Sequence, residues 1–361
     1  MAGAQGLFST NAYTLADYAL NSNQPLVQRV TMSLIDYAIV LQDVPLVNKK
    51  TLIQNGTRFE GNLPTVNWTP LNSEGVTTKG TPTAYQEQVF TFRNYIDVDK
   101  LLVEDENQIV EPRALQTQAF LKAVTYDFNF RFFNNTHAVE PNSIVGIRSR
   151  IDNGSVFGVR PENKINGGAA GIALDMTQAT LVSTPSSGNK VIEVLEQLLW
   201  SVDSPNGNGV VLYMNDNVKR RLSFMLRGLG TSGGLDITQD QFGRTIEKYK
   251  GAVIRDPGLK ADQSTRIILG PSVPSVATQL SEDINGNDNT SAQGAGSNFT
   301  SIYAVNYGED HFFGWQFEPI NVKDLGLIYN GALYRTFIDW AVGVMNVSTR
   351  SIGRIYGIKI A

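Results

Sequence analysis

Residues 51–97 form a long β-prone segment that a polar, turn-rich stretch at residues 69–83 divides into two halves. The β-favouring side chains of the two halves are Thr57, Phe59, Leu63, Val66, Trp68, Tyr85, Val89, Phe90, Phe92 and Tyr95. This pattern predicts a long β-hairpin whose tip lies in the turn-rich stretch. Because an isolated two-stranded ribbon is only marginally stable in water, the hairpin must lie on another surface, of its own chain or of a neighbouring one.

The clearest helix signal spans residues 112–135. Pro112 stands at the first helical position, which is a start signal, and no further Gly or Pro occurs before Pro141. Many apolar residues recur at spacings of three and four, namely Ala114, Leu115, Phe120, Leu121, Val124, Phe128 and Phe132. The segment is therefore predicted to be one continuous helix of about 35 Å.

Residues 1–50 carry two short helix signals, at residues 11–20 and 25–41. The second signal places Val27, Val30, Leu34, Ile35, Ala38 and Leu41 on one face. Two such helices are too little for a packed unit, so we interpret the segment as an arm that lies on another surface.

Residues 190–320 alternate between helix and strand signals, which is typical of a compact α/β unit. The helices are predicted at 190–202 and 215–227, and the strands at 209–214, 251–255, 266–269, 301–307 and 311–317. A polar stretch at 281–297 interrupts the unit and is predicted to be a loop. Residues 321–361 then return to long β-prone runs.

The composition excludes most reactive and metal-bound sites. No Cys is present, which removes disulfides, thiol nucleophiles, Cys-ligated zinc and iron–sulfur clusters. The two histidines, His137 and His311, lie far apart in the sequence and provide no paired metal ligands. A net charge of −4 argues against a broad basic face that grips nucleic acid. We therefore expect no catalytic residue, no cofactor, no metal and no enzymatic activity.

Two glycine-rich motifs overlap at residues 228–234. Gly228–Gly233 matches GxGxxG, and Gly230–Gly234 matches the nucleophile elbow GxSxG around Ser232. Both motifs need a strand before them and a helix after them, whereas here a predicted helix precedes and a predicted strand follows. We interpret the segment as a flexible loop, and a hydrolase that uses Ser232 with Asp236 and His311 stays as a remote alternative.

The charge balance differs between two distant segments. Residues 51–110 hold four basic and eight acidic side chains, a net charge of −4, whereas residues 321–361 hold five basic and two acidic ones, a net charge of +3. Opposite signs of this kind favour attraction between the hairpin of one subunit and the C-terminal segment of another.

The order of arm, long hairpin, long helix, α/β insertion and β-rich return resembles the major capsid protein of tailed double-stranded DNA bacteriophages. This family has the Hong Kong phage-type capsid fold, which is shared with herpesviruses and encapsulins. The resemblance covers nearly the whole chain and rests on element order together with four local stretches, at residues 57–92, 112–135, 242–255 and 329–360.

The resemblance implies an α+β fold with named parts. These are an N-terminal arm at 1–50, an extended loop at 51–97, a peripheral domain at 98–165 with its spine helix at 112–135, an axial domain at 166–318, a peripheral return at 319–349 and a final strand at 350–361 that rejoins the axial domain.

The resemblance also implies a function and partners. The chain would self-assemble into hexamers and pentamers of an icosahedral head that encloses double-stranded DNA without sequence-specific binding. It would be assembled in the host bacterial cytoplasm, would reside in the virion and would contact no membrane. The expected partners are further copies of itself, a portal, a possible decoration protein and, because only about 50 residues precede the hairpin, a separate scaffolding protein. An encapsulin-like nanocompartment is the alternative.

Ten residues are the candidates for contacts between subunits. They are Arg58, Phe59, Trp68, Lys79, Phe90, Phe92, Lys323, Arg335, Arg350 and Arg354. One family member joins subunits covalently through a Lys, an Asn and a catalytic Glu. Here Lys79 could pair with Asn330 or Asn346, but residues 319–361 contain no Glu. We therefore expect non-covalent stabilisation.

Overall fold

The computed structural model describes most of the chain from Ile39 onwards. The described residues are 39–59, 63–104, 112–167, 174–177, 185–204, 206–228, 235–239, 245–262, 265–270, 281–282, 284–286, 288–289, 299–328 and 331–360. The helix predicted at 11–20, most of the one predicted at 25–41 and the loop around Ser232 lie outside these residues. The described end of the arm forms a short helix, α1 (Ile39–Asp43).

The predicted hairpin forms a two-stranded ribbon. Strand β2 (Ile53–Arg58) pairs antiparallel with β3 (Thr83–Gln88), so that Ile53 lies opposite Gln88 and Arg58 lies opposite Thr83. The hairpin was predicted to extend to residue 97, and this part of the prediction is wrong, because the ribbon ends at Gln88. The next strand, β4 (Phe90–Asp99), pairs with a strand of the body instead.

The body contains a four-stranded sheet in the order β1-β14-β15-β4. The remaining strands are β1 (Leu46–Asn48), β14 (Phe312–Ile328) and β15 (Leu333–Asn346). Strand β1 runs parallel to β14, and the other pairs are antiparallel. A short helix, α2 (Lys100–Glu104), follows β4.

The long helix α3 (Pro112–Asn134) packs against this sheet, and its bounds agree with the prediction to one residue. Its buried side chains are Leu121, Val124, Thr125, Phe128, Asn129, Phe132 and Phe133. The ring of Phe92 stacks on Phe120 with centroids 5.6 Å apart, and Phe128 lies 5.6 Å from Trp340. Aromatic pairs at such distances add to the free energy of apolar burial.

Two short helices and a 3-10 turn follow α3. They are α4 (Ile147–Asp152), α5 (Gly154–Phe157) and the 3-10 turn Pro161–Asn163. Gly158 ends α5 in the left-handed conformation, at φ +68°. The chain then enters a second, larger sheet.

The second sheet has the order β12-β11-β13-β7-β10-β9-β8, and β16 pairs with β13, β5 and β6. Its strands are β5 (Lys164–Asn166), β6 (Leu174–Asp175), β7 (Val210–Tyr213), β8 (Leu235–Gln239), β9 (Thr245–Tyr249), β10 (Ala252–Arg255), β11 (Ser281–Glu282), β12 (Asp288–Asn289), β13 (Phe299–Asn306) and β16 (Ile352–Lys359). All four residues of β7 are buried, as its central position requires.

Helices α6 (Pro185–Ser201) and α7 (Asp216–Gly228) accompany this second sheet. A second hydrophobic core contains Leu195, Leu198 and Leu199 of α6, Leu222 of α7 and Leu212 of β7. Leu195, Leu198 and Leu199 recur at helical spacing on α6, which is the pattern that predicted this helix.

The two sheets share one aromatic junction at the C-terminal end of α3. The ring of Phe133 lies 5.1 Å from Tyr213 of β7 and 5.6 Å from Tyr303 of β13. The neighbouring Phe132 contacts Phe312 at the start of β14, 5.9 Å away. One helix end is thus packed against strands of both sheets.

A buried polar cluster joins the end of the arm to the second sheet. The hydroxyl of Tyr213 donates to Oδ2 of Asp43 at 2.9 Å and lies 2.8 Å from the hydroxyl of Tyr307. Arg255 approaches Asp43 to 3.5 Å. Burial raises the pKa of Asp43 to about 6, although Arg255 and the Tyr213 hydrogen bond act in the opposite direction.

This cluster predicts an unusual pH dependence of the free energy of unfolding. Because the carboxyl of Asp43 binds its proton more tightly in the folded chain, its contribution is largest below about pH 4 and is lost as the pH rises through about 6. The difference corresponds to about 3 kcal/mol, at about 1.4 kcal/mol per pKa unit. In the variant Asp43→Asn, the free energy of unfolding should therefore lose this part of its pH dependence between pH 4 and 7.

Urea unfolding of the unassembled chain at a series of pH values measures the effect. Glu74→Gln removes an exposed carboxylate from the ribbon tip and serves as the control. If Asp43→Asn and the parent chain had the same pH dependence, the burial of Asp43 would not control the stability.

Candidate assembly surface

The ribbon tip exposes large apolar side chains. Trp68 is 96% exposed and Leu71 is 94% exposed, and Leu63, Val66 and Val76 are also exposed. The tip contains Pro64, Pro70 and Pro82, which lack a backbone N–H and so disfavour further strand pairing. A contiguous group of exposed apolar side chains is typical of a protein–protein contact surface. We call residues 63–82 the ribbon tip.

A second exposed apolar group lies at one end of the four-stranded sheet. It consists of Leu101, Leu102, Leu115, Leu325 and Leu327, which we call the distal patch. The strands bring its parts together, because Leu327 pairs with Tyr334 and Leu333 pairs with Asp99, directly before α2. Sequence analysis missed this patch, since Leu325 and Leu327 lie far along the chain from its other three members.

Four of the ten contact candidates lie on accessible surface. Phe59, Trp68 and Lys79 belong to the ribbon, and Lys323 lies on the exposed part of β14. Their contacts with a neighbouring subunit stay predictions. None of the four is paired with another in the structure, so the sequence-predicted residues do not converge on one site.

Phe90 and Phe92 pack within the chain. Both rings belong to β4 and border the core under α3, where Phe92 stacks on Phe120 and Phe90 meets the ring of His137 edge-on at 5.6 Å. Their apolar burial therefore stabilises the subunit itself, which corrects their assignment to the hairpin.

Arg335 binds Asp97 of the same chain. Its guanidinium donates to both carboxylate oxygens, at 2.7 and 2.6 Å, because the two residues lie opposite each other in β15 and β4. This hydrogen bonding holds the pKa of the Asp97 carboxyl below its usual value. Arg93 and Asp339 form a second pair across the same strands at 3.8 Å. Some of the opposite charges of the two segments thus meet within the subunit, and the attraction between subunits stays a prediction.

Arg350 and Arg58 also form hydrogen bonds within the chain. Arg350 donates to Asp203 at 2.8 Å and to the backbone carbonyls of Trp200 and Ser201. Arg58 is buried and donates to the carbonyls of residues 157 and 158. Both arginines therefore have hydrogen-bond partners within the chain, whereas the sequence analysis named them as contacts with a neighbouring subunit.

Arg354 is fully buried at 0% exposure, so its predicted contact with a neighbour is wrong. Its guanidinium lies 3.1 Å from Glu282 and 3.2 Å from Asp152, and it donates to the carbonyl of Gly286 at 2.6 Å. Arg148 donates to the same carbonyl at 2.8 Å. A buried cation needs such partners, because burial without them is costly.

This charged cluster ties the start of the polar loop at 281–297 to the C-terminal strand β16. Burial raises the pKa of the Glu282 carboxyl above its usual value, while Arg354 and Arg148 act in the opposite direction. Sequence analysis could not find the cluster, because Asp152, Glu282 and Arg354 lie more than 70 residues from one another.

The described residues offer no group of three or more His, Asp or Glu side chains that could hold a metal ion. In the same part of the chain, every helix is too short or too polar to span a membrane. Asp236 is exposed on β8, and Ser232 lies outside the described residues, so the geometry of a hydrolase site is not tested.

Comparison with known proteins gives a family match and a set of structural likenesses. Residues 27–184 match the family model of the major capsid protein GP7. No curated protein sequence matches the chain.

Three solved structures illustrate the structural likeness. The holo-SrpI encapsulin of Synechococcus elongatus PCC 7942 is similar at a TM-score of 0.52 and 9% identity, over 88% of this chain and 85% of that one. The capsid of an empty GTA particle is similar at 0.52 and 10%, over 89% and 90%. The capsid of cyanophage A-1(L) is similar at 0.51 and 12%, over 87% and 90%.

These likenesses confirm the predicted fold class, a mixed helix-and-sheet capsid fold. The family-model match over residues 27–184 agrees with the sequence-based resemblance to phage major capsid proteins. The boundaries of the predicted subdomains stay predictions.

The Arg354 cluster predicts a large loss of stability when its cation is removed. Substitution of Arg354 by Met keeps much of the side-chain volume but removes the cation that pairs directly with the buried Glu282. We expect the free energy of unfolding of the unassembled chain to fall by about 3–5 kcal/mol in urea titrations.

Lys323→Met is the matched control, because Lys323 is exposed and a surface substitution of this kind changes stability by about 0.5 kcal/mol or less. A second variant that also carries Glu282→Gln should recover part of the loss. Equal stabilities of Arg354→Met and Lys323→Met would contradict the role of the cluster.

Proposed function

We propose that this chain is a phage-type major capsid protein that self-assembles into hexamers and pentamers of an icosahedral head enclosing double-stranded DNA. The observation that carries the proposal is the ribbon tip, whose Trp68 and Leu71 project from a folded body that does not cover them. Burial of apolar surface contributes about 25 cal/mol per Å². If a neighbouring subunit covered the tip, each contact between subunits would gain this free energy of apolar burial.

The position of the two apolar surfaces supports a head-to-tail contact. The ribbon tip and the distal patch are built from different segments of the chain, so one subunit could present one surface to its first neighbour and the other to its second. Contacts between unlike surfaces close into rings when the rotation between subunits permits it. Hexamers and pentamers are rings of this kind.

The two sheets support an assignment of subdomains. The four-stranded sheet with α3 corresponds to the peripheral domain, and the second sheet with α6 and α7 corresponds to the axial domain at the capsomer centre. Because β14 is already part of the four-stranded sheet at Phe312, we place the start of the peripheral return there instead of at residue 319. Strand β16 rejoins the second sheet, as proposed for the final segment.

The shell role implies where the chain acts and what it meets. We propose that the protein resides in the virion and that it assembles in the host bacterial cytoplasm with a separate scaffolding protein, a portal and a decoration protein. The wall would confine DNA without reading its sequence, in keeping with the net charge of −4.

An encapsulin-like compartment is the second candidate, because the SrpI encapsulin has a similar fold. The contents of purified particles distinguish the two functions. Nuclease-protected DNA supports the phage head, whereas enzyme cargo without DNA supports the compartment.

Removal of the exposed apolar groups should abolish assembly without unfolding the subunit. In the double variant Trp68→Ser and Leu71→Ser, both side chains are already exposed, so the free energy of unfolding should change by about 0.5 kcal/mol or less. Electron microscopy and sedimentation, with scaffolding protein supplied, should show that the yield of closed particles falls at least tenfold.

Glu74→Ser and Thr77→Ser change exposed polar residues of the same tip and serve as the control, with assembly at the parental yield. Parental yields of particles from the Trp68 and Leu71 variant would contradict the role of the tip. A parent chain that stays monomeric under every assembly condition would contradict the shell function itself.

A further inference from the structure

Two arginines hold the paired part of the ribbon against α4 and the C-terminal end of α5. On the body side, Arg150 of α4 forms a two-pronged ion pair with Glu87 of β3, at 2.5 and 3.1 Å. On the ribbon side, Arg58 of β2 donates to the carbonyls of Phe157 and Gly158, at 3.3 and 3.1 Å. We call these five residues the ribbon clamp.

The body fixes Arg150 before it meets the ribbon. Its side chain is 1% exposed, and its guanidinium donates to the carbonyl of Val145 at 3.0 Å and to that of Val344 at 3.2 Å. It also lies over the ring of Phe157. Because a bidentate pair between Arg and a carboxylate is directional, the position of Arg150 dictates the position of Glu87.

Two glycines make room for the Arg58 contact. Gly56 lies opposite Tyr85 in the ribbon, and a Cβ at this position would come within 2.2 Å of the Tyr85 ring. That ring extends across β2 and lies 4.5 Å from the guanidinium of Arg58. At Gly158, with φ +68°, a Cβ would come within 2.4 Å of the same guanidinium.

The two contacts are separated along the ribbon. Glu87 pairs with Gln54 and Arg58 pairs with Thr83, four residues further along the strand, which corresponds to about 13 Å. Two contacts at this separation fix the direction of the ribbon, whereas a single contact would let the ribbon rotate about it. The ribbon base also packs on Phe313, Trp315 and Met345 through Tyr85 and Val89, but apolar contact is not directional.

We propose that Arg58 and Arg150 are positioning residues that set the direction in which the ribbon leaves the body. The direction decides which part of a neighbouring subunit the ribbon tip reaches, and therefore the angle between subunits and the curvature of the shell. Trp68 follows Arg58 by ten residues, at most about 33 Å of extended chain. A pivot of about 10° would then move Trp68 by up to about 6 Å, which is more than one side-chain contact distance.

The inference about curvature rests on the proposed shell function, but its first test does not require assembly. The chain has no Cys, so Thr81→Cys in the ribbon tip and Lys190→Cys on α6 accept one pair of spin labels. In this labelled chain, Glu87→Gln removes the charge at one end of the clamp, and Arg58→Lys removes the forked donor at the other. Arg93→Lys and Glu74→Gln make the same chemical changes at exposed residues and are the controls.

We expect the distance distribution between the labels to widen at least twofold in Glu87→Gln and Arg58→Lys and to stay unchanged in the controls. Circular dichroism should show the same fold in all variants. Distributions of parental width in both clamp variants would overturn the proposal.

The second test is cryo-electron microscopy of particles assembled with scaffolding protein. We expect one particle diameter for the parent and the controls, and several diameters or open shells for the clamp variants. Particles of parental diameter from variants whose label distances have widened would overturn the link to curvature. A parent chain that never assembles would instead contradict the proposed function, and the label distances would still decide whether the clamp fixes the ribbon.

Discussion

The packing of the C-terminal half of α3 is the contact on which the rest of the subunit depends. Phe133 lies between Tyr213 and Tyr303 of one sheet, while Phe128 lies against Trp340 of the other. A change in that helix end would therefore disturb both sheets at once. The N-terminal half of the helix is largely exposed and ends near the distal patch, so the same element connects the core with a candidate contact surface.

The subunit separates two kinds of interaction. Three of its arginines, Arg150, Arg335 and Arg354, each meet carboxylates of the same chain with specific geometry. Large apolar side chains stay exposed at the ribbon tip and the distal patch. Directional polar contacts thus define the shape of the subunit, and non-directional apolar surface is left to drive association. A shell protein needs both properties, because its subunits must fold before they meet.

The sequence predicted helices and strands well where a single local pattern of residues specifies them. Helix α3 follows from its apolar spacing and from Pro112, and the ribbon follows from β-prone residues on both sides of a turn-rich stretch. The fold class followed from the order of such elements, which the structural likenesses confirm. Predictions about partners of individual side chains fared worse. Phe92 and Arg335 were assigned to neighbours from their type and region, but strand pairing between β4 and β15 gives them partners within the chain.

The sequence by itself determined where the chain can be helical, where it can be extended and which side chains are too apolar to remain in water. These properties depend on local spacing and on the chemistry of single residues. Only the tertiary structure decided that Arg354 is buried, that Arg58 and Arg150 hold the ribbon, and that five leucines form the distal patch. Each of these depends on segments far apart in the chain, and sheet order and register, which a single sequence does not specify, bring them together.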